Sequence, residues 1–116
     1  MDPNETPHGQ VALRFASQLV AGRFDDAHQM LSTAAKLEWP RSLLASTYRK
    51  MVDYFETPPS LVMVVNTLEE WPDKLPKDIG WAYAAIAGDG ESEAVTVVVC
   101  SEGEGHAIRS IEWGRP

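Results

Sequence analysis

The sequence lacks several features that would narrow its function at once. It contains one cysteine, Cys100, so no disulfide can form within the chain. Its three histidines and this cysteine show none of the spacings that bind zinc or other transition metals, so we expect no metal site. The glycine-containing stretch 88–91 is not followed by a helical pattern and therefore predicts a turn rather than a phosphate-binding loop. We expect no cofactor.

Positive charge is scarce and is not clustered. Ten Lys and Arg residues stand against 17 Asp and Glu residues, which gives a net charge of -7. Because a basic stripe is missing and the overall field is negative, nucleic-acid binding is not expected. The apolar runs are shorter than the roughly 18 residues of a membrane-spanning helix. The N-terminus also lacks the basic and apolar regions of a signal peptide, and these absences predict a cytoplasmic protein that does not enter a membrane.

The length and composition indicate one globular domain. A chain of 116 residues is close to the commonest domain size, and its apolar fraction of 44% is ordinary for a folded protein. Residues 1–7 contain two prolines and mostly polar side chains, which predicts a flexible leader. Residues 8–116 are predicted to form the domain.

The first half of the chain has the periodicity of helices. Apolar residues recur every three or four positions from residue 8 to residue 20, and Gly22 follows as the C-terminal stop. A second helix is predicted over 24–31, because two aspartates occupy its first turn. Residues 32–39 are interpreted as a loop or a broken helical turn. A third helix is predicted to begin at Pro40.

The second half has the pattern of strands. Residues 60–68 are β-branched and aliphatic, which predicts the first strand. The runs 79–87 and 94–100 are joined by Asp89-Gly90, a favoured two-residue hairpin turn of type I′, and this pairing places Tyr83 opposite Thr96. The apolar residues of the last strand can share one face if the strand has a bulge near Arg109–Ser110. A register slip in the preceding turn is the alternative explanation.

Both faces of the predicted sheet are apolar. One face carries Ile79, Trp81, Tyr83, Thr96, Val98 and Cys100, and the other carries Ala82, Ala84, Ile86, Val95, Val97 and Val99. The helices can cover one face, whereas a solvated face would normally alternate apolar with polar residues. We therefore predict a homodimer. Its candidate interface residues are Val95, Val97, Val99 and Ile111.

Acid–base catalysis needs an ionisable side chain beside the reacting atoms. The strand interiors 61–67, 79–87 and 94–100 contain no Asp, Glu, His, Lys or Arg. No catalytic residue is therefore predicted, and a non-catalytic role is favoured.

Five residues are candidates for lining a pocket. Tyr48 lies on the apolar stripe of the third helix and could present a hydroxyl donor, although packing in the core is the alternative. His28 lies on the second helix, either in a pocket or at the surface. The other candidates are Trp81, Tyr83 and Trp113, for which packing within the sheet or at an interface is equally open.

The helix pair V-A-G-R-F-D-D-A-H-Q-M-L and the closing segment G-H-A-I-R-S-I-E-W resemble many bacterial members of the nuclear transport factor 2-like (cystatin-like) superfamily. His106 occupies a position that is usually aromatic in this pattern. The resemblance implies an α+β cone in which three N-terminal helices pack on a curved antiparallel sheet of about four strands. Because the superfamily includes isomerases, dehydratases, cyclases, sensors, assembly modules and immunity proteins, it implies no single function.

Three functions remain open at this point. The first is a non-catalytic, homodimeric binding domain for a small hydrophobic ligand or a protein partner. The second is a small isomerase or dehydratase acting on a hydrophobic carbonyl compound in the cone pocket, with Tyr48, Tyr83 or His28 involved. The third is an acidic immunity-type protein that neutralises a basic partner, for which a net charge of -7 suits steered association.

Overall fold

Four α-helices precede a four-stranded antiparallel sheet in the computed structural model, which describes residues 2–115. This arrangement confirms the predicted α+β fold. After a 3-10 turn, Pro3–Glu5, the helices are α1 (Pro7–Val20), α2 (Phe24–Gln29), α3 (Thr33–Glu38) and α4 (Arg41–Val52). The strands lie side by side in chain order and are β1 (Leu61–Leu68), β2 (Asp78–Ala87), β3 (Ser92–Glu102) and β4 (Gly105–Trp113).

The helical half differs from the prediction in two places. The segment 32–39, predicted as a loop or a broken turn, forms α3, because the Ser32 hydroxyl caps it by accepting a hydrogen bond from the Ala35 amide at 3.1 Å. Part of the predicted leader forms the 3-10 turn. The buried Thr6 then caps α1 by accepting a hydrogen bond from the Gly9 amide at 2.9 Å. The fold therefore begins earlier in the chain than predicted.

The β2–β3 hairpin has the predicted register but a different turn. Tyr83 lies opposite Thr96, as the sequence indicates. Gly90 has a φ of 87°, whereas no non-glycine residue within 2–115 has a positive φ. Because type I′ needs positive φ at both central residues, the turn at Asp89-Gly90 is not of that type.

Strand β4 contains the bulge that the sequence predicts. Val98 lies opposite Ser110 and Val99 lies opposite Ile108, so Arg109 is the extra residue between them. The bulge shifts the alternation by one residue and returns the apolar side chains of β4 to one face. The alternative of a register slip in the preceding turn is thereby excluded.

Strand β2 contains a bulge that the sequence did not predict. Ile79 is the extra residue between Asp78, which lies opposite Cys100, and Gly80, which lies opposite Val99. Ile79 therefore packs against the hydrophobic core instead of sharing a face with Cys100. Asp78 takes the place that was predicted for Ile79.

The helices cover one face of the sheet, which we call the inner face, and leave the opposite, outer face without helical cover. The four predicted interface residues lie on the inner face. Their exposed fractions are 0% for Val95, Val97 and Val99 and 8% for Ile111. These residues belong to the core of the single chain, because the chain's own helices occupy the place predicted for a partner. The face left uncovered carries Trp81 and Tyr83.

Helix α1 approaches β2 closely where His8 meets Gly80. A Cβ atom added to Gly80 would lie 2.0 Å from Cγ of His8, so the contact requires glycine. The His8 side chain is buried, and its Nε2 has no hydrogen-bond partner among residues 2–115. Burial lowers the pKa of His8, although the charge of Glu69 opposes this shift. A neutral imidazole therefore fills the space between the start of α1 and β2.

We expect Gly80→Ala to lower the free energy of unfolding by about 1–3 kcal/mol, because the added methyl group overlaps the His8 ring. Gly105→Ala is the matched control in a strand, since nothing lies within 4 Å of a Cβ atom added there. Urea unfolding measures both variants. Combining His8→Ala with Gly80→Ala should recover part of the loss in a double-mutant cycle. Equal stability of the two glycine variants would contradict this contact.

Candidate functional site

Exposed apolar side chains follow one another along β1: Leu61, Met63 and Leu68 lie on the outer face, and Val65 is the extra residue of a bulge between Val64 and Asn66. We call this row the apolar ridge, and β1 is an edge strand of the sheet. Its members and their exposed fractions are Leu61 (54%), Met63 (52%), Val65 (52%) and Leu68 (37%). A long apolar row on an edge strand is a surface that proteins normally cover or blunt with charge.

A trough lies beside the ridge, over strands β2 to β4. Two adjoining grooves of about 180 Å³ and 370 Å³ form it, and both are lined by Trp81, Thr96 and Glu112. The rings of Trp81 and Tyr83 stack with their centroids 6.4 Å apart and an interplanar angle of 24°. We call this surface the aromatic trough, defined by Trp71, Trp81, Tyr83, Thr96 and Glu112.

Free carboxylates border the aromatic trough. Glu112 lies opposite Thr96 in the sheet, and Asp73 lies on the connection between β1 and β2. Within residues 2–115, no hydrogen bond or salt bridge engages either carboxylate. Arg115 lines the far end, where its backbone amide donates to Oε1 of Glu93 at 3.3 Å.

A buried ion pair joins β2 to β4 beside the trough. Nε and Nη2 of Arg109 donate to the two carboxylate oxygens of Asp78, both at 2.6 Å, and the Leu75 amide donates to Oδ2 of Asp78 at 2.8 Å. The Asp78 side chain is fully buried, whereas that of Arg109 is 26% exposed. The bulges in β2 and β4 create this pair, because each brings one of the charged residues to the outer face.

The surroundings of Asp78 keep it ionised. Burial raises the pKa of Asp78, but the hydrogen bonds from Arg109 and Leu75 and the charge of Arg109 outweigh it, so the pKa lies below its ordinary value. A carboxylate with a low pKa and both oxygens occupied is a poor general base. The pair therefore clamps the β1–β2 connection to β4 and does not provide a proton carrier.

Neither Asp78 nor Arg109 is among the site residues that the sequence singles out. The predicted strand begins one residue after Asp78, and the charged residues of the last strand were not counted among its interior positions. The predicted bulge at Arg109 was the available signal, because bulges re-aim side chains and often adjoin sites.

Two of the predicted pocket residues, Tyr48 and His28, do not come together. The Tyr48 ring packs against Phe24 with centroids 5.9 Å apart, and its buried hydroxyl has no hydrogen-bond partner in the part of the chain that the structure describes. Burial raises the pKa of Tyr48 to about 12. Nε2 of His28 lies 3.5 Å from the carbonyl oxygen of Lys36. The two side chains therefore form no hydrogen-bonded acid–base couple.

The other three predicted pocket residues, Trp81, Tyr83 and Trp113, line the same groove. Trp81 and Tyr83 form part of the aromatic trough, and Trp113 borders its second groove. The Trp113 ring packs edge-to-face against Trp39 with centroids 5.7 Å apart, and both indole N–H groups are buried without a hydrogen-bond acceptor from the described residues. Trp113 therefore connects the trough to the packing of the helices.

Residues 2–115 provide little support for metal or thiol chemistry. They contain no group of three or more His, Cys, Asp or Glu side chains that could hold a metal ion. Burial, together with the charges of Asp78 and Glu102, raises the pKa of the Cys100 thiol, which disfavours the reactive thiolate. No helix in this range has both the length and the apolar character needed to cross a membrane.

Comparisons with models of protein families, with curated proteins and with solved structures found no match. The resemblance to the nuclear transport factor 2-like superfamily stays a prediction from the sequence. The α+β class rests on the structure itself.

We expect Asp78→Asn to lower the free energy of unfolding by about 3 kcal/mol, because it leaves the Arg109 charge largely buried without its partner. Asp25→Asn is the control. It removes an exposed pair with Arg41 and should cost less than about 1 kcal/mol. Chemical unfolding at neutral pH measures both, and equal losses would contradict the clamp.

The same ion pair predicts a dependence on pH. The pKa of Asp78 in the folded protein lies below 3.8. Its contribution to the free energy of unfolding is therefore fully present above pH 3.8 and is lost as the pH falls through the folded pKa. The unfolding free energy of Asp78→Asn should therefore approach that of the unmodified protein in acid. A difference that stays constant down to pH 2 would contradict this linkage.

Proposed function

We propose that the protein is a non-catalytic interaction domain whose outer sheet face is the binding surface. The observation that carries the proposal is the exposed apolar ridge of β1 beside the aromatic trough, on a face that no helix of residues 2–115 covers. Association removes such apolar surface from water and is favoured for that reason. The single thiol fits a reducing compartment, so we extend the proposal to the cytoplasm.

A second copy of the chain is the partner that suits the apolar ridge. Residues 60–68 contain no charged side chain. Two ridges can therefore meet across a twofold axis without bringing like charges together, as a self-complementary interface requires. The aromatic trough extends from Trp81, which lies opposite Leu68 of the ridge, to the other edge strand, β4, so its β4 side lies away from the ridge.

Two observations favour binding over the isomerase or dehydratase alternative. The inner face of β2 and β3 is filled by six fully buried apolar residues, which can neither accept nor donate a proton: Ala82, Ala84, Ile86, Val95, Val97 and Val99. Two buried ionisable groups are also unsuited to act as bases, because Asp78 is held by Arg109 and burial raises the pKa of Tyr48 to about 12.

The order of helices and strands supports membership of the nuclear transport factor 2-like superfamily, and the proposal includes that assignment. An acidic immunity-type protein is a narrower form of the same proposal. Its support is the net charge of -7, which would accelerate association with a basic partner.

We expect Met63→Lys and Val65→Lys to convert a homodimer into monomers, because each places an unpaired charge in the centre of the apolar ridge. Leu37→Lys is the matched control, since Leu37 is an exposed apolar residue on α3. Size-exclusion chromatography with light scattering should give twice the chain mass of 12.8 kDa for the unmodified protein and the control. A 12.8 kDa particle at micromolar concentration for the unmodified protein would contradict the dimer.

A further inference from the structure

The aromatic trough combines two features that recognise positive charge. The stacked rings of Trp81 and Tyr83 line it, and the faces of such rings attract ammonium and guanidinium groups. The carboxylate of Glu112 borders the same grooves, and no side chain among residues 2–115 forms a salt bridge with it. An aromatic surface beside an unpaired carboxylate is suited to a cation.

A lysine of the chain itself already uses this chemistry at the edge of the trough. Nζ of Lys74 lies 5.7 Å from the centroid of the Trp71 ring. The same ammonium group contacts Oε1 of Glu70 at 3.0 Å. The ammonium group also donates to the carbonyl oxygen of Glu69 at 2.7 Å. The side chain of Lys74 is therefore held by a backbone carbonyl, a carboxylate and an aromatic ring, and the last two are groups that Glu112, Trp81 and Tyr83 offer within the trough.

The local charges leave the trough negative. Asp73, Glu93 and Glu112 border its grooves or the adjoining cleft beside Tyr83. Of the positive groups nearby, Arg109 is neutralised by Asp78 and Lys74 by Glu70, which leaves Arg115 against three carboxylates. The net charge of -7 adds a long-range attraction for a basic partner and would repel phosphate groups.

We infer that the aromatic trough binds lysine or arginine side chains in an extended basic segment of a partner protein. Two adjoining grooves, of about 180 Å³ and 370 Å³, provide room for more than one residue of such a segment, which favours a peptide over an isolated small cation. The inference rests on the proposed interaction function and names the chemistry of the ligand. It does not require the apolar ridge to be free.

Titration of the full chain with hexa-arginine, followed by calorimetry at low salt, tests this binding site. Hexa-citrulline is the control ligand, because citrulline keeps the shape of arginine without its charge. We expect hexa-arginine to bind at least about tenfold more tightly than hexa-citrulline. Equal affinity for the two peptides would overturn the inference.

A matched pair of variants separates the trough from general attraction to an acidic protein. Glu112→Gln should weaken hexa-arginine binding by about fivefold to tenfold, whereas Glu104→Gln, in the exposed β3–β4 turn, should weaken it by less than about twofold. Tyr83→Leu should also weaken binding through loss of an aromatic ring. If the two glutamate variants lose the same affinity, the inference is wrong.

The binding test of the cation site and the mass measurement of the dimer can fail independently of each other. A protein that has twice the chain mass but does not bind hexa-arginine would overturn the cation site alone. A monomer that binds hexa-arginine through Glu112 would overturn the dimer alone.

Discussion

The helices bury one face of a sheet whose opposite face also carries large apolar side chains, and the rest of the molecule depends on this imbalance. On the inner face, small residues such as Ala82 and Ala84 let α1 lie close to β2, and the buried contact of His8 with Gly80 continues this packing. The outer face is covered in part by the β1–β2 connection. The apolar ridge and the aromatic trough are the parts that remain accessible.

The ion pair between Asp78 and Arg109 links the backbone irregularities to the shape of the outer face. A bulge in β2 and a bulge in β4 bring the two charges together, and Arg109 also donates to the carbonyl oxygen of Asp73 at 3.4 Å. The connection is thereby held over β3, where Trp71 forms one end of the trough. The charged pair thus shapes the outer face, and its carboxylate is occupied by Arg109 and the Leu75 amide.

The parts of the fold that depend on neighbouring residues could be predicted. The hairpin register follows from the turn at Asp89-Gly90, and the bulge at Arg109 follows from the change of parity in the last strand. The helix α3 was missed because its six residues depend on capping by Ser32 rather than on a long apolar period. Of the candidate site, the sequence identified Trp81 and Tyr83 but not Asp78 or Arg109.

Alternation along the strands determined from the sequence alone which side chains share a face, because successive residues of a strand point to opposite sides. Because both predicted faces carried apolar residues, this pattern could not determine which face the helices would cover. The tertiary structure decided that Val95, Val97 and Val99 lie beneath the helices. The bulge at Ile79 was likewise decided by tertiary structure, since an extra residue exists only relative to the strand with which it pairs. Asp78 was brought to the outer face by that pairing, where Arg109 neutralises it.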